Sequence, residues 1–341
     1  MIKPKALKPG DCIGLVSPSS GLAGLVPHRV EQAKRMLGEL GFKVKIGKNA
    51  LKTDGYVSGS AKERVNDLEE MFRDEEVKGV ISMIGGNHSN HLLPLLNYDM
   101  IRSNPKVFMG FSDITVLHLA LQSQAGLVTF YGPAALGQFG ENPRMLGYTQ
   151  EYLKKALTNT SPIGEVHPSK EWTEEVLNWF EKKDLERPRA LKPNIGYTWL
   201  RQGAISGPIM GGCITSMMHI LGTKFWPDMN GKILLLETPE GEDFTKGQNA
   251  GDIDAYLMDL QLRGIFDQVR GIVFGRPFGY TEKEKVQLQS AIMQHTAGHN
   301  FPILYGIDIG HTDPMITIPL GVKVSLDSNK NYFSIDESGV N

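Results

Sequence analysis

The sequence predicts an α/β protein with a mostly parallel sheet in its first half and a mixed α+β unit in its second. Three observations predict it. Apolar runs alternate with amphipathic helical stretches over roughly 130 residues, the pattern of a parallel sheet covered on both faces. From about residue 161 prolines and charge clusters replace that pattern. The chain then ends in two strand-like runs, 321–326 and 332–335, separated by a polar turn, which read as a hairpin.

In order, residues 11–20 read as a buried strand ending in a small polar loop, 27–40 as a helix stopped at Gly41, and 42–47 as a second strand. Residues 61–72 form an amphipathic helix that Ser60 can cap. Residues 77–84 make a third strand, which runs into Gly85-Gly86-Asn87-His88-Ser89-Asn90 and a helix over 91–96. Further strands are expected at 107–109 and 127–131. The segment 161–202, with Pro162, Pro168, Pro188 and Pro193, reads as a linker carrying a short helix over 171–183. It separates a unit at 1–160 from one at 203–341. In the latter, strand and turn material is expected at 203–213, 232–237 and 269–274, and helices at 252–264 and 282–295.

Composition bounds the function. The chain has 341 residues, 40% of them hydrophobic and 22% charged, and a formal net charge of −2. Nothing in that balance favours a nucleic-acid polymer or an anionic membrane. Cys12 and Cys213 are too far apart in sequence to suggest a zinc knuckle or a disulfide framework. No apolar signal core or membrane-length stretch is evident, so the expectation is a reduced, cytoplasmic enzyme or binding protein.

The stretch 106–121 is the most informative. A short strand turns at Gly110-Phe111-Ser112-Asp113 and continues as an apolar helix. A serine at such a junction can be held on a tight turn with its hydroxyl exposed. It can equally be an N-cap, and Ile114 stands where the last glycine of G-x-S-x-G would be. A nucleophilic serine needs a base, and usually an acid to orient it. Of the nine histidines, His118 lies within the helix and should point into packing. His88 and His91 have no carboxylate or cysteine cluster with them, which favours a solvated pair over a metal site. His311, in Gly310-His311-Thr312-Asp313-Pro314, follows an apolar run that delivers it to a strand end. Glu237 ends the apolar run 234–236, where a carboxylate is costly unless a donor meets it. Glu240 and Glu242 lie further along that loop, either solvated or in contact with substrate.

Leu7-Lys8-Pro9-Gly10-Asp11, Val16-Ser17-Pro18-Ser19-Ser20, Gly110-Phe111-Ser112-Asp113-Ile114-Thr115, Leu236-Glu237 and Gly310-His311 together resemble the LD-carboxypeptidase and microcin C immunity family of serine peptidases. The resemblance spans almost the whole chain. It implies a flavodoxin- or amidotransferase-like first domain and a smaller, barrel-like second one, with the site at their interface. It also implies Ser112 as nucleophile, Glu237 as orienting acid, His311 as base, and an oxyanion hole from the Gly86 and Asp113 amides. No metal or organic cofactor is required by that scheme, and a homodimer is expected. The loop Ile84-Gly85-Gly86-Asn87, which lacks the Arg and Tyr typical of the cell-wall carboxypeptidases, resembles the immunity branch. In that branch an amide joining an aminoacyl group to a modified nucleotide is cleaved and aromatic residues hold the base. Asn87 and Glu240 are then candidate substrate contacts. Trp172 and Trp179, seven apart, are either base-stacking residues or one face of a core helix. Three functions follow: an amidase acting on peptidyl or aminoacyl nucleotides, an LD-carboxypeptidase removing D-alanine from muropeptide tetrapeptides, or a non-catalytic nucleotide binder in which Gly85-Gly86-Asn87 holds a phosphate.

Overall fold

The computed structural model describes residues 1–341. Its strands are β1 (Cys12–Val16), β2 (Lys43–Ile46), β3 (Val77–Ser82), β4 (Val107–Gly110), β5 (Thr129–Tyr131), β6 (Gly164–Glu165), β7 (Glu171–Trp172) and β8 (Lys192–Pro193). They continue with β9 (Thr198–Arg201), β10 (Ala204–Cys213), β11 (Ile233–Glu237), β12 (Gly271–Gly275), β13 (Ile303–Ile307), β14 (Ile318–Leu320), β15 (Lys323–Asp327) and β16 (Tyr332–Ile335).

A six-stranded sheet has the order β14-β5-β4-β3-β1-β2. Its strands run parallel except β14, which pairs antiparallel with β5 and reaches there from the far end of the sequence. The second sheet is mixed and forms a half-barrel, in the order β6-β16-β15-β10-β11-β12-β13-β9. Its centre, β10 to β13, is parallel, and antiparallel strands flank it on both sides. The expected C-terminal hairpin is β15–β16. The α/β class read from the sequence holds for the whole molecule.

Local chemistry explains the elements that were anticipated. The helix Pro27–Glu39 has proline in its first turn, where no donor is lost, and stops before Gly41 at φ +91°. The helix Ala61–Arg73 opens on a reciprocal capping box between Ser60 and Glu63. The helix Glu282–His295 does the same with Thr281 and Glu284. The central strands β3, β4, β11 and β12 are buried almost throughout, as continuous apolar runs in a covered parallel sheet require.

Two expectations fail. Residues 171–182 contain no helix, and only a 3₁₀ turn, Lys183–Leu185, touches the end of the expected span. Trp172 lies in β7 against β8, and Thr173 exchanges backbone hydrogen bonds with Asp313 (2.6 and 2.9 Å). Asn178 then takes the Phe180 and Glu181 amides onto its side chain, so the donors a helix would use are spent elsewhere. The 91–96 helix is instead a 3₁₀ turn, Ser89–Leu92, followed by a separate helix, Tyr98–Ser103. The helix Gly147–Thr158 was not anticipated.

The two sheets share their packing. One apolar core joins Ile13, Ile81, Met109 and Tyr131 of the first sheet to Ile209, Leu235, Val273 and Leu304 of the second. A second core packs Val116 and Leu117, just after Ser112, with Met210, Ile214, Leu234 and Leu236. Each such side chain contributes about 1.5–3 kcal/mol on burial. The residues after β4 and after β11 are thus fixed to one another by a common interior.

Candidate active site

The carboxyl ends of parallel strands are where open α/β sheets place ligands. Here the ends of β4 and β5 meet those of β11 and β13. Ser112, in the 3₁₀ turn Ser112–Ile114, has φ +61°, a left-handed conformation that costs a non-glycine residue roughly 1–3 kcal/mol. Its backbone is over-determined by neighbours. The Ser112 amide donates to the Tyr131 hydroxyl at 3.2 Å, and its carbonyl accepts from Thr115 Oγ1 at 2.6 Å. A side chain at Gly85 would come within 2.8 Å of Ser112 Cβ, so the close approach of that loop requires glycine.

From Ser112 a line of hydrogen bonds crosses to the second sheet. The Tyr131 hydroxyl donates to Glu237 Oε1 at 2.5 Å, and Glu237 Oε2 lies 2.8 Å from His311 Nδ1. Glu237 is fully buried, and these two donors meet a carboxylate that would otherwise be costly there. Gly310 leaves room for it, because a Cβ at that position would lie 2.7 Å from Glu237 Oε2. The His311 ring packs edge-on against Phe111, with centroids 5.0 Å apart, which sets it beside the residue preceding Ser112. Burial pulls the imidazole pKa down, but the carboxylates of Glu237 and Glu240, with the Glu237 hydrogen bond, outweigh it and hold His311 at about 9. Burial and the adjacent Glu237 push the Tyr131 phenol well above its ordinary value, so it stays a donor.

Asp113 organises the opposite wall. Its buried carboxylate accepts from Ser19 Oγ (2.6 Å), the His88 amide (2.9 Å) and the Ser89 amide (2.8 Å), and Ser89 Oγ donates back to its carbonyl (2.7 Å). This ties the loop after β1, the Gly85–Ser89 loop and the serine turn into one unit. Gly86, at φ +142°, has no backbone acceptor for its N–H. Asn87 Oδ1 lies 2.6 Å from His219 Nε2, a bridge between the two halves of the molecule. Glu240 Oε2 lies 3.2 Å from His311 Nε2.

The remaining candidates are placed differently. Trp172 and Trp179 do not share a helix face. Trp172 is buried against the Lys192 ammonium (3.9 Å) and the Arg276 guanidinium (4.6 Å), and Trp179 carries the Arg29 guanidinium at 4.2 Å. His118 points into packing, with Nε2 2.9 Å from the Gly110 carbonyl, and burial lowers its pKa to about 4. His91 Nδ1 lies 3.3 Å from Arg64, and His88 sits between Tyr56 and His91. Sequence reasoning missed Tyr131, whose signal was a tyrosine ending a buried run, where its hydroxyl must find a partner. It also missed Arg189, which pairs with Glu141 (2.8 Å) and Asp313 (2.7 Å) and steadies the turn carrying His311.

Such an arrangement can activate a hydroxyl for attack on an acyl carbon. Residues 13–132 match the LD-carboxypeptidase N-terminal domain and residues 206–326 the LD-carboxypeptidase C-terminal domain. The chain is 34% identical to the microcin C7 self-immunity protein MccF of Escherichia coli, over 96% of this chain and 94% of that one. It is 31% identical to the Bacillus subtilis protein named "Probable murein peptide carboxypeptidase", over 99% and 95%. The solved structure of MccF in complex with glutamyl sulfamoyl guanosine superposes with a TM-score of 0.90 at 31% identity, covering 100% of both chains. The chain belongs to the LD-carboxypeptidase family of serine peptidases.

Proposed function

We propose that the chain is a serine amidase that cleaves the amide between an acyl group and a modified nucleotide, as in the microcin immunity branch. The observation that carries the chemistry is the hydrogen-bonded line from the Ser112 amide through Tyr131 and Glu237 to His311. His311 takes the Ser112 proton as the hydroxyl attacks the carbonyl carbon. The Gly86 and Asp113 amides receive the oxyanion, each worth about 3 kcal/mol when well aimed. His311 then protonates the leaving amine, and water releases the acyl-enzyme by the reverse sequence. Glu237 fixes the tautomer and orientation of the imidazole.

The nucleotide half of the reading is supported by the relative's complexes with glutamyl sulfamoyl guanosine and aspartyl sulfamoyl adenosine, and by the Ile84-Gly85-Gly86-Asn87 loop. The second reading, removal of D-alanine from a muropeptide tetrapeptide, is favoured by the similarity to the Bacillus subtilis protein at nearly the same identity. Incubating the wild type and Ser112→Ala with an aminoacyl sulfamoyl adenosine beside a muropeptide tetrapeptide separates the two. Serine-dependent cleavage of the nucleotide alone is the expected result. Cleavage of the tetrapeptide alone transfers the chain to the cell-wall reading.

A further inference from the structure

Glu240 faces the His311 ring nitrogen that a serine proton must reach. Proton transfer from Ser112 requires His311 Nε2, since Nδ1 is engaged by Glu237 at 2.8 Å. Nε2 instead faces Glu240 Oε2 at 3.2 Å and makes no properly directed hydrogen bond. Glu240 forms no ion pair with any lysine or arginine. The Glu240 side chain is 34% exposed, so it stands at the boundary between the base and the open site. Its backbone is held in a narrow loop by a bridge to Gly247 and by hydrogen bonds from Gly241 to Lys246 (2.9 Å) and from Gln248 to Pro239 (3.0 Å). These ties hold the backbone of the loop; none of them reaches the Glu240 carboxylate.

The charges around the base do not balance. Glu237 and Glu240 both flank the single His311 cation, whereas Asp313, on the same turn, is paired with Arg189. The site therefore favours one added positive charge close to Nε2. An aminoacyl group whose α-amine is free brings such a charge to that place. Its nitrogen and carbonyl carbon are two bonds apart, about 2.5 Å, so an ammonium comes close to the base when the carbonyl meets Ser112.

We propose that Glu240 recognises the free α-ammonium group of the acyl residue, and that this contact draws the carboxylate from His311 Nε2 and frees the base for Ser112. The inference rests on the amidase reading and sharpens it: aminoacyl substrates with a free amine are preferred over peptidyl or N-acylated ones. Glu240 is then both the specificity residue and the block on the resting base.

The test compares an aminoacyl sulfamoyl adenosine with its N-acetyl derivative, using the wild type, Glu240→Gln and Glu240→Asp. A fluorophosphonate supplies a second readout by labelling Ser112 without substrate. The wild type should prefer the free amine at least tenfold in kcat/KM, Glu240→Gln should lose that preference, and Glu240→Asp should restore part of it. Glu240→Gln should also label at Ser112 several-fold faster at neutral pH. Equal turnover of both compounds by the wild type, or an equal loss on both in Glu240→Gln with unchanged labelling, overturns the proposal while leaving the amidase reading intact. Absence of labelling and of hydrolysis in every protein overturns the amidase reading and the proposal together.

Discussion

The two loops that meet at His311 are held in opposite ways. On the serine side, the Asp113 carboxylate accepts three hydrogen bonds, the Ser112 amide and carbonyl are both engaged, and glycine at position 85 permits direct contact with the turn. On the other side, no hydrogen bond within the loop reaches the Glu240 carboxylate, which touches the base without a second partner. A nucleophile must be placed to within a fraction of an ångström, so its surroundings are over-determined. A group that chooses substrates must be able to leave, so it is under-determined. On the proposed reading, the difference separates the fixed half of the chemistry from the half that responds to the ligand.

Substitutions can break this comparison at either side. Ser112→Ala should have the largest effect, lowering kcat on the nucleotide substrate by on the order of 10⁴-fold or more with little change in unfolding free energy. Glu237→Gln should follow, with a loss near 10⁴-fold by analogy with other triads. It should also bring the His311 pKa down from about 9, because Glu237 is the largest of the three carboxylate influences. The pH dependence of kcat/KM in that variant reads the shift directly.

Tyr131→Phe leaves the Ser112 amide without its hydroxyl acceptor and takes one donor from Glu237. A loss of about 1–3 kcal/mol in stability is expected from the orphaned groups, visible in denaturant unfolding. Asp113→Asn should cost a similar amount, but its signature is different. It loosens the Gly85–Ser89 loop, so kcat should fall while Ser112 labelling is less affected.

A further set of expected effects comes from pH. The folded His311 pKa, about 9, lies above its ordinary 6.5. Its protonation therefore adds stability in full below about pH 6.5, and that contribution is lost as pH rises through about 9. The unfolding free energy of the wild type minus that of His311→Asn should shrink across this window. The groups facing His311 are Glu237 from β11, Glu240 from its loop and Asp313 from its own turn, with Phe111 closing the apolar side. For catalysis the base must be neutral, so kcat/KM should climb with pH towards a pKa near 9 in the free enzyme. The corresponding limb of kcat should lie lower, because bound substrate holds Glu240 away.

Much of the architecture was legible because the central parallel strands are apolar runs that stop at a small or polar residue. Met109 to Gly110 and Leu236 to Glu237 mark strand ends at which side chains gather, and Ile309 to Gly310 lies just beyond the end of β13. The segment 161–202 was not legible. Its order comes from distant partners: Arg29 with Asp184, Arg189 with Asp313, and Ser169 with Asp308. None of these contacts leaves a local periodicity, and the seven-residue spacing of Trp172 and Trp179 imitates one that is not there. The three-residue strand β14, which returns from the far end of the chain to edge the first sheet, is likewise too short to carry a pattern. Tyr131 looked like one more strand residue because its role depends on Glu237, 106 positions away.

The most direct test of the central claim is intact-mass and peptide-map analysis after fluorophosphonate treatment of the wild type and Ser112→Ala. A single adduct at Ser112 in the wild type, absent from the variant together with all amide hydrolysis, is the predicted result. Turnover that survives Ser112→Ala, or an adduct on another residue, would contradict the account.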